Sequence, residues 1–256
     1  MATVAVPVRR PLVGKFYVVM AWIFIAVAFG GFFGTYWLQL ARGTFRGGSP
    51  LLHFHGLLFS AWTLFFLSQT TLVANRKLRS HRSWGLLGIS LATAMVFLGM
   101  AVAIAATQDR IAAGYGNAAR AFLIVPVTAI LPFGAFVAAA VANVRRPEWH
   151  KRFMLVATVS VLQAPIARFF FLAATGGGPG MRPSFAPPLP VERALSGAFV
   201  SDLLIVAAMI HDWREDGRVH PAYWWGLGIM LAVQLGRTPF AYTDAWYRTA
   251  DILLAF

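Results

Sequence analysis

Seven runs of apolar residues, most of them long enough to cross a lipid bilayer, leave this chain few folds to choose from. A hydrocarbon core of ~30 Å takes roughly 20 mostly apolar helical residues. The runs lie at about Phe16–Leu40, Leu51–Ala74, Trp84–Ala106, Ala119–Val144, Phe153–Thr175, Leu195–Ile210 and Ala222–Phe240, the sixth being the shortest. Lipid offers backbone amides no partner, so each run must satisfy its own as a helix, and the runs are too continuously apolar for barrel strands. The expected fold is all-α: a polytopic transmembrane helical bundle of about seven spans, one followed by three hairpins. Only 12% of residues are charged, and they bunch between the runs instead of scattering as in a soluble domain. Residues 1–256 are read as a single domain. Within it, 1–15 is a basic N-terminal segment, 176–194 a Gly/Pro-rich external loop and 241–256 an interfacial tail.

Orientation follows from Lys and Arg, which concentrate in short cytoplasmic loops. One side collects thirteen: Arg9, Arg10, Lys15, Arg76, Lys77, Arg79, Arg82, Arg145, Arg146, Lys151, Arg152, Arg214 and Arg218. The other has eight: Arg42, Arg46, Arg110, Arg120, Arg182, Arg193, Arg237 and Arg248. The N-terminus is therefore expected in the cytoplasm and the C-terminus outside. The first run is too long for a signal core and no small-residue cleavage site follows it, so it is expected to remain as a span. These loops beside an anionic leaflet account for the net charge of +13, and the lipid bilayer, not nucleic acid, is the expected partner. With no cysteine present, any metal must use His, carboxylate or Met.

Three cytoplasmic turns run into a histidine that opens the next span: Arg79-Ser80-His81-Arg82, Glu148-Trp149-His150-Lys151 and Arg218-Val219-His220-Pro221. The first two share a lead-in, Val73-Ala74-Asn75 and Val141-Ala142-Asn143, which reads as a weak internal repeat. A first-turn histidine faces the positive end of the helix dipole, which disfavours imidazolium, and neutral imidazole is the form that binds metal. With Asp212 at the end of the sixth span, His81, His150 and His220 make a candidate ligand set for a divalent metal, Zn, Fe or Cu. The plainer alternative is that turns on one face bring histidines to a common depth without convergence. Histidines at both faces also resemble the pattern of di-haem transmembrane cytochromes b. His53 and His55 share one helix, so an outer haem lacks its second axial histidine unless a methionine substitutes, and a single inner haem b between two of the turn histidines stays open.

A second polar layer lies deeper, on the outer side. Counted at ~1.5 Å per residue from the outer helix ends, His55 lies about 6 Å in, Gln234 about 9 Å, and Arg168 and Asp202 about 10 Å. A charge at that depth is costly unless paired and usually faces the bundle interior, so Arg168 and Asp202 are expected to form an ion pair. His53, Gln163 and Arg237 are candidates to line the same ligand pocket. On the second span His55, Trp62 and Gln69 recur every seven residues along one helical face. Pro126, Pro132 and Pro165 interrupt the fourth and fifth spans and predict kinks or a lined cavity.

At His53-Phe54-His55-Gly56, Trp62, Gln69, His81-Arg82 and Gly217-Arg218-Val219-His220-Pro221 the chain resembles uncharacterised bacterial multi-pass inner-membrane proteins. The resemblance implies a bacterial inner (plasma) membrane protein and assigns no activity. In helix count and histidine number alone the chain is also similar to the zinc-dependent hydrolases related to adiponectin receptors and alkaline ceramidases. Three functions stay open at this point. One is a metal- or haem-dependent membrane enzyme or redox protein. Another is a small-molecule transporter or receptor using the outer Arg/Asp/His pocket. The third is an accessory subunit that binds other subunits of a larger membrane complex.

Overall fold

The computed structural model describes residues 15–45, 48–176 and 187–255 and contains no strand among them. Six helices are long and apolar enough to cross a membrane: α1 (Lys15–Ala41), α2 (Pro50–Ala74), α3 (Leu78–Ala112), α4 (Gly116–Ala142), α5 (Pro147–Thr175) and α6 (Ala194–Asp216), the last led in by the single turn Val191–Arg193. The chain is thus a multi-pass membrane protein. α7 (Pro221–Phe240) and a short α8 (Asp244–Leu254) follow. The seventh apolar run is helical as expected. Tyr223, Trp224, Trp225, Gln234 and Arg237 nevertheless dilute its apolar character, so six helices, not seven, meet the composition of a span.

Helix ends fall where the sequence supplies caps. The Ser49 hydroxyl accepts the Leu52 amide at 3.3 Å ahead of Pro50, and Thr243 accepts that of Trp246 at 3.2 Å. α5 and α6 stop on Gly176 and Gly217, whose φ of 71° and 70° is the left-handed conformation that spares glycine a Cβ clash. The repeated tripeptides share one task. The side-chain amides of Asn75 and Asn143 donate back to the carbonyls of Thr71, at 3.0 Å, and Ala139, at 2.8 Å. Asn143 thereby satisfies a carbonyl that the end of α4 leaves open, and Asn75 adds a second bond to one that already accepts its own backbone amide. The loop expected over 176–194 lies partly outside the described residues, and helix runs continuously through Pro126, Pro132 and Pro165.

α5 is the axis of the bundle. Its residues 155–160 are all buried, and α1, α4, α6 and α7 all pack on it. A helix apolar and buried on every side is a core helix. α2 and α3 instead turn Leu57, Leu64, Leu86 and Phe97 outward, Phe97 being 74% exposed. Such a belt is a liability in water and a lipid-facing surface in a bilayer. The turns α2–α3, α4–α5 and α6–α7 share one end of the bundle with the start of α1, hereafter the turn end; the opposite end carries α8. α3, at 35 residues, is about 52 Å long and outruns a ~30 Å hydrocarbon core. α8 docks on this overhang and on the start of α4: Gln108 of α3 donates to the Leu254 carbonyl at 3.2 Å, while the Trp246 indole donates to the carbonyl of Arg120, on α4, at 2.9 Å and Arg120 pairs with Asp251 at 2.7 Å.

α1 and α5 approach so closely at Gly31 that a Cβ there would collide with the Pro165 carbonyl. Gly31→Val is expected to cost several kcal/mol, above the ~1–3 kcal/mol of ordinary overpacking, because backbone must move. Gly236→Ala, which meets nothing within 4 Å, is expected to be neutral. Melting temperatures of the two purified variants in detergent make the comparison.

Candidate functional site

Arg152 and Asp212 dominate the turn end. Arg152, on α5, is 2% exposed and meets Asp212 of α6 through a two-pronged fork, Nε to Oδ2 and Nη2 to Oδ1, both 2.8 Å. A planar guanidinium matched to a carboxylate in this way is the strongest form of ion pair. The remaining nitrogen donates to the Glu148 carbonyl at 2.9 Å and contacts the Glu148 carboxylate. Asp212 Oδ2 also accepts the His220 backbone amide at 3.1 Å, which ties in the start of α7. The guanidinium lies 5.6 Å from the centre of the Tyr223 ring, and the hydroxyl of Tyr223 bonds that of Tyr17 at 3.1 Å, which adds α1.

The histidines stand around this pair without forming a metal centre. His150 Nδ1 lies 2.9 Å from the Ala140 carbonyl, an acceptor only, so Nδ1 carries the proton. The His81 ring lies 6.2 Å from that of His150, with its Nδ1 buried and unpartnered. His220 caps α7 by accepting the Ala222 amide at Nδ1, 3.2 Å away, and meets Trp149 edge-on at 4.9 Å. Burial holds the His220 imidazole below its ordinary pKa, and the Arg152 charge adds to the effect, in line with a neutral ring. His211 stacks on Phe16 at 3.9 Å. The expected ligand set of His81, His150, His220 and Asp212 is therefore not brought together. Both Asp212 oxygens are used by Arg152 and His220 Nδ1 by its own helix, and among the described residues no group of three His, Asp or Glu side chains has the geometry to hold an ion.

At the far end the expected pocket divides in two. Between α4, α5, α6 and α7, Arg237 is 2% exposed and donates through Nη1 to Gln163 Oε1 at 3.0 Å and to Thr128 Oγ1 at 3.3 Å, and through Nη2 to the Ala194 carbonyl at 3.4 Å. One turn earlier on α7, Gln234 Nε2 donates to Asp202 Oδ1 at 3.2 Å. Asp202 Oδ2, Gln234 Oε1 and Arg237 Nε are buried without a partner. Thr128 also borders an apolar groove of about 530 Å³ between α4 and α7, walled by Leu131, Ala135, Trp225 and Ile229.

The other part lies toward α1 and α2. His53 Nδ1 is 2.9 Å from the Tyr36 hydroxyl, His55 packs on Phe59 at 4.1 Å, and Arg168 lies over the Phe32 ring at 5.8 Å. The expected Arg168–Asp202 ion pair does not form. Gln163 and Arg168 are five residues apart on α5, about 140° around the helix; with Gln163 turned to α7, Arg168 is turned to α1. The α2 stripe does face inward: Trp62 donates to Thr158 Oγ1 at 3.2 Å, and Gln69 is buried with both amide atoms unpartnered.

Sequence reasoning missed Arg152, Glu148, Tyr17, Tyr223 and Thr128 as site residues. Arg152 counted only as a loop cation, although an acid, Asp212, stood at the same depth across the bundle. Comparison with protein-family models, curated proteins and solved structures finds no match to this chain, so its chemistry rests on these residues.

Asp212→Ala strands a buried guanidinium and is expected to cost roughly 3–5 kcal/mol, whereas the double change Arg152→Met with Asp212→Leu recovers most of the loss. Chemical denaturation in detergent reads both.

Proposed function

We propose that the protein is a membrane transporter or receptor for a small polar solute, held at the far end among Gln163, Asp202, Gln234 and Arg237. The observation that carries this is the trio of unpartnered buried atoms, Asp202 Oδ2, Gln234 Oε1 and Arg237 Nε. An orphaned polar atom costs roughly 1–3 kcal/mol, and two acceptors with one donor on facing helices offer a solute what the protein does not give itself. Charged and amide groups at such depth in a bundle mark ligand or ion paths.

Transport has more support than simple reception. The two helices that supply Gln163 and Asp202 are the two that the Arg152–Asp212 fork ties at the turn end. A solute site on one side and a releasable lock on the other, across the same pair of helices, is the arrangement alternating access needs. In this reading α7 makes a seventh crossing, its polar residues facing inward, and the turn end faces the cytoplasm of a bacterial cell. The metal- or haem-dependent enzyme has less support, because Asp212 and His220 are already engaged.

Asp202→Asn keeps the shape and the acceptor for Gln234. It is expected to leave the melting temperature within a few degrees of wild type and to abolish stabilisation by any solute that a panel of amino acids, sugars and small amides identifies. Equal stabilisation of both proteins by every hit sinks the proposal. Reporter fusions at residues 77 and 146 are expected to read cytoplasmic and one at residue 114 external; the reverse pattern overturns the orientation.

A further inference from the structure

Arg168 is a cation without an anion. It stands seven residues before the end of α5 at Thr175, about 10 Å in at 1.5 Å per residue. None of the 9 Asp and Glu residues of the chain lies within ion-pair distance of it among the described residues. Asp202, at matching depth, is bonded to Gln234 on the far side of α5. What Arg168 meets is the face of Phe32, at 5.8 Å, and the Arg110 charge that acts on it has the same sign. His55, toward the same end of the bundle on α2, leaves its Nδ1 buried and unpartnered. A second helix thus brings an unsatisfied polar atom to that end.

A ring face offsets only part of the cost of desolvating a guanidinium, about 0.5–2 kcal/mol, and a like charge nearby adds to that cost. Arg152 and Arg237 show what the fold does elsewhere with a guanidinium at depth: each receives acceptors from neighbouring helices. Arg168, only partly buried, receives none, and its N–H donors stay open to a ligand, in the planar fork that suits carboxylate and phosphate. The aromatic walls, Phe32 beside Arg168 and Phe59 beside His55, favour a ligand whose remainder is apolar.

We propose that Arg168, with His55, binds an oxyanion carried on an apolar body: the carboxylate of a fatty-acid-like solute or the phosphate of an anionic lipid headgroup. This site is separate from the α4–α7 network, since Arg168 faces α1, and variants at Asp202 test that network on their own.

The test uses the purified full-length chain in nonionic detergent, its unfolding followed by tryptophan fluorescence, with octanoate as the free anion and octanol as its uncharged control. A second arm compares nanodiscs of phosphatidylglycerol with nanodiscs of phosphatidylcholine. Two results are expected. Arg168→Met, which removes the charge and keeps the length, melts higher than wild type without ligand. Octanoate or phosphatidylglycerol then raises the melting temperature of wild type and fails to raise that of Arg168→Met, with Arg168→Lys intermediate. Protection by phosphatidylglycerol alone assigns the oxyanion to a lipid; protection by octanoate assigns it to a free solute. The proposal is overturned if neither anion shifts the wild type, if octanol protects as well as octanoate, if Arg168→Met keeps the full anion shift, or if Arg168→Met melts well below wild type without ligand.

Discussion

A guanidinium taken out of water has to be answered by something, and α5, the helix on which the bundle is assembled, carries a buried one near the turn end and a partly buried one toward the far end. At the turn end the answer is complete: Asp212 closes a fork on Arg152, Glu148 takes the remaining nitrogen and Tyr223 covers the face. At the far end Arg168 meets a phenyl ring and, among the described residues, no carboxylate. Both arginines lie on one rigid rod, so the bundle is locked by its own residues at one end and left electrostatically incomplete at the other. The ends of the molecule are physically unlike, and any function that distinguishes two sides of a membrane can draw on that difference.

α7 explains why the count of spans is ambiguous by composition. Its polar residues are the ones the other helices need: Gln234 supplies the hydrogen bond to Asp202, and Arg237 holds Gln163 and Thr128. A helix that supplies the polar contacts of the interior must carry polar residues itself, so low hydropathy here reflects its neighbours and not exposure to water. Asp202 and Arg237 form no direct ion pair, and Asp202 Oδ2, Gln234 Oε1 and Arg237 Nε all stay buried without a partner.

Much of this was legible in the sequence. Apolar run length gives the helices, and the histidines of the three turns do open or cap helices at one end. The depth count marked Asp202 and Gln234, and both are buried, as are Gln163 and Arg237 among the residues added to line the pocket. Depth, however, fixes only one coordinate. Pairing Arg168 with Asp202 ignored azimuth, and the about 140° between Gln163 and Arg168 already forbids both from facing α7. The metal set failed for a related reason: turns on a common face align residues in height and say nothing about which neighbour each ring meets. Which helix packs on which is set by side-chain shape over many contacts, such as Gly31 against Pro165, and no short pattern reports it.

α8 gives the far end a mechanical character. Only Ala241, Tyr242 and Thr243 separate it from α7, and its far side is fastened to α3 and α4 through Arg120 and Gln108. α7 and α4 are thereby leashed to each other at this end, although a groove opens between them at mid-height. A tilt of α7 that drew Arg237 away from Thr128 would have to drag α8 across the overhang. α8 therefore ties α7 to α3 and α4, so a displacement of this short helix would be felt by the buried network around Arg237.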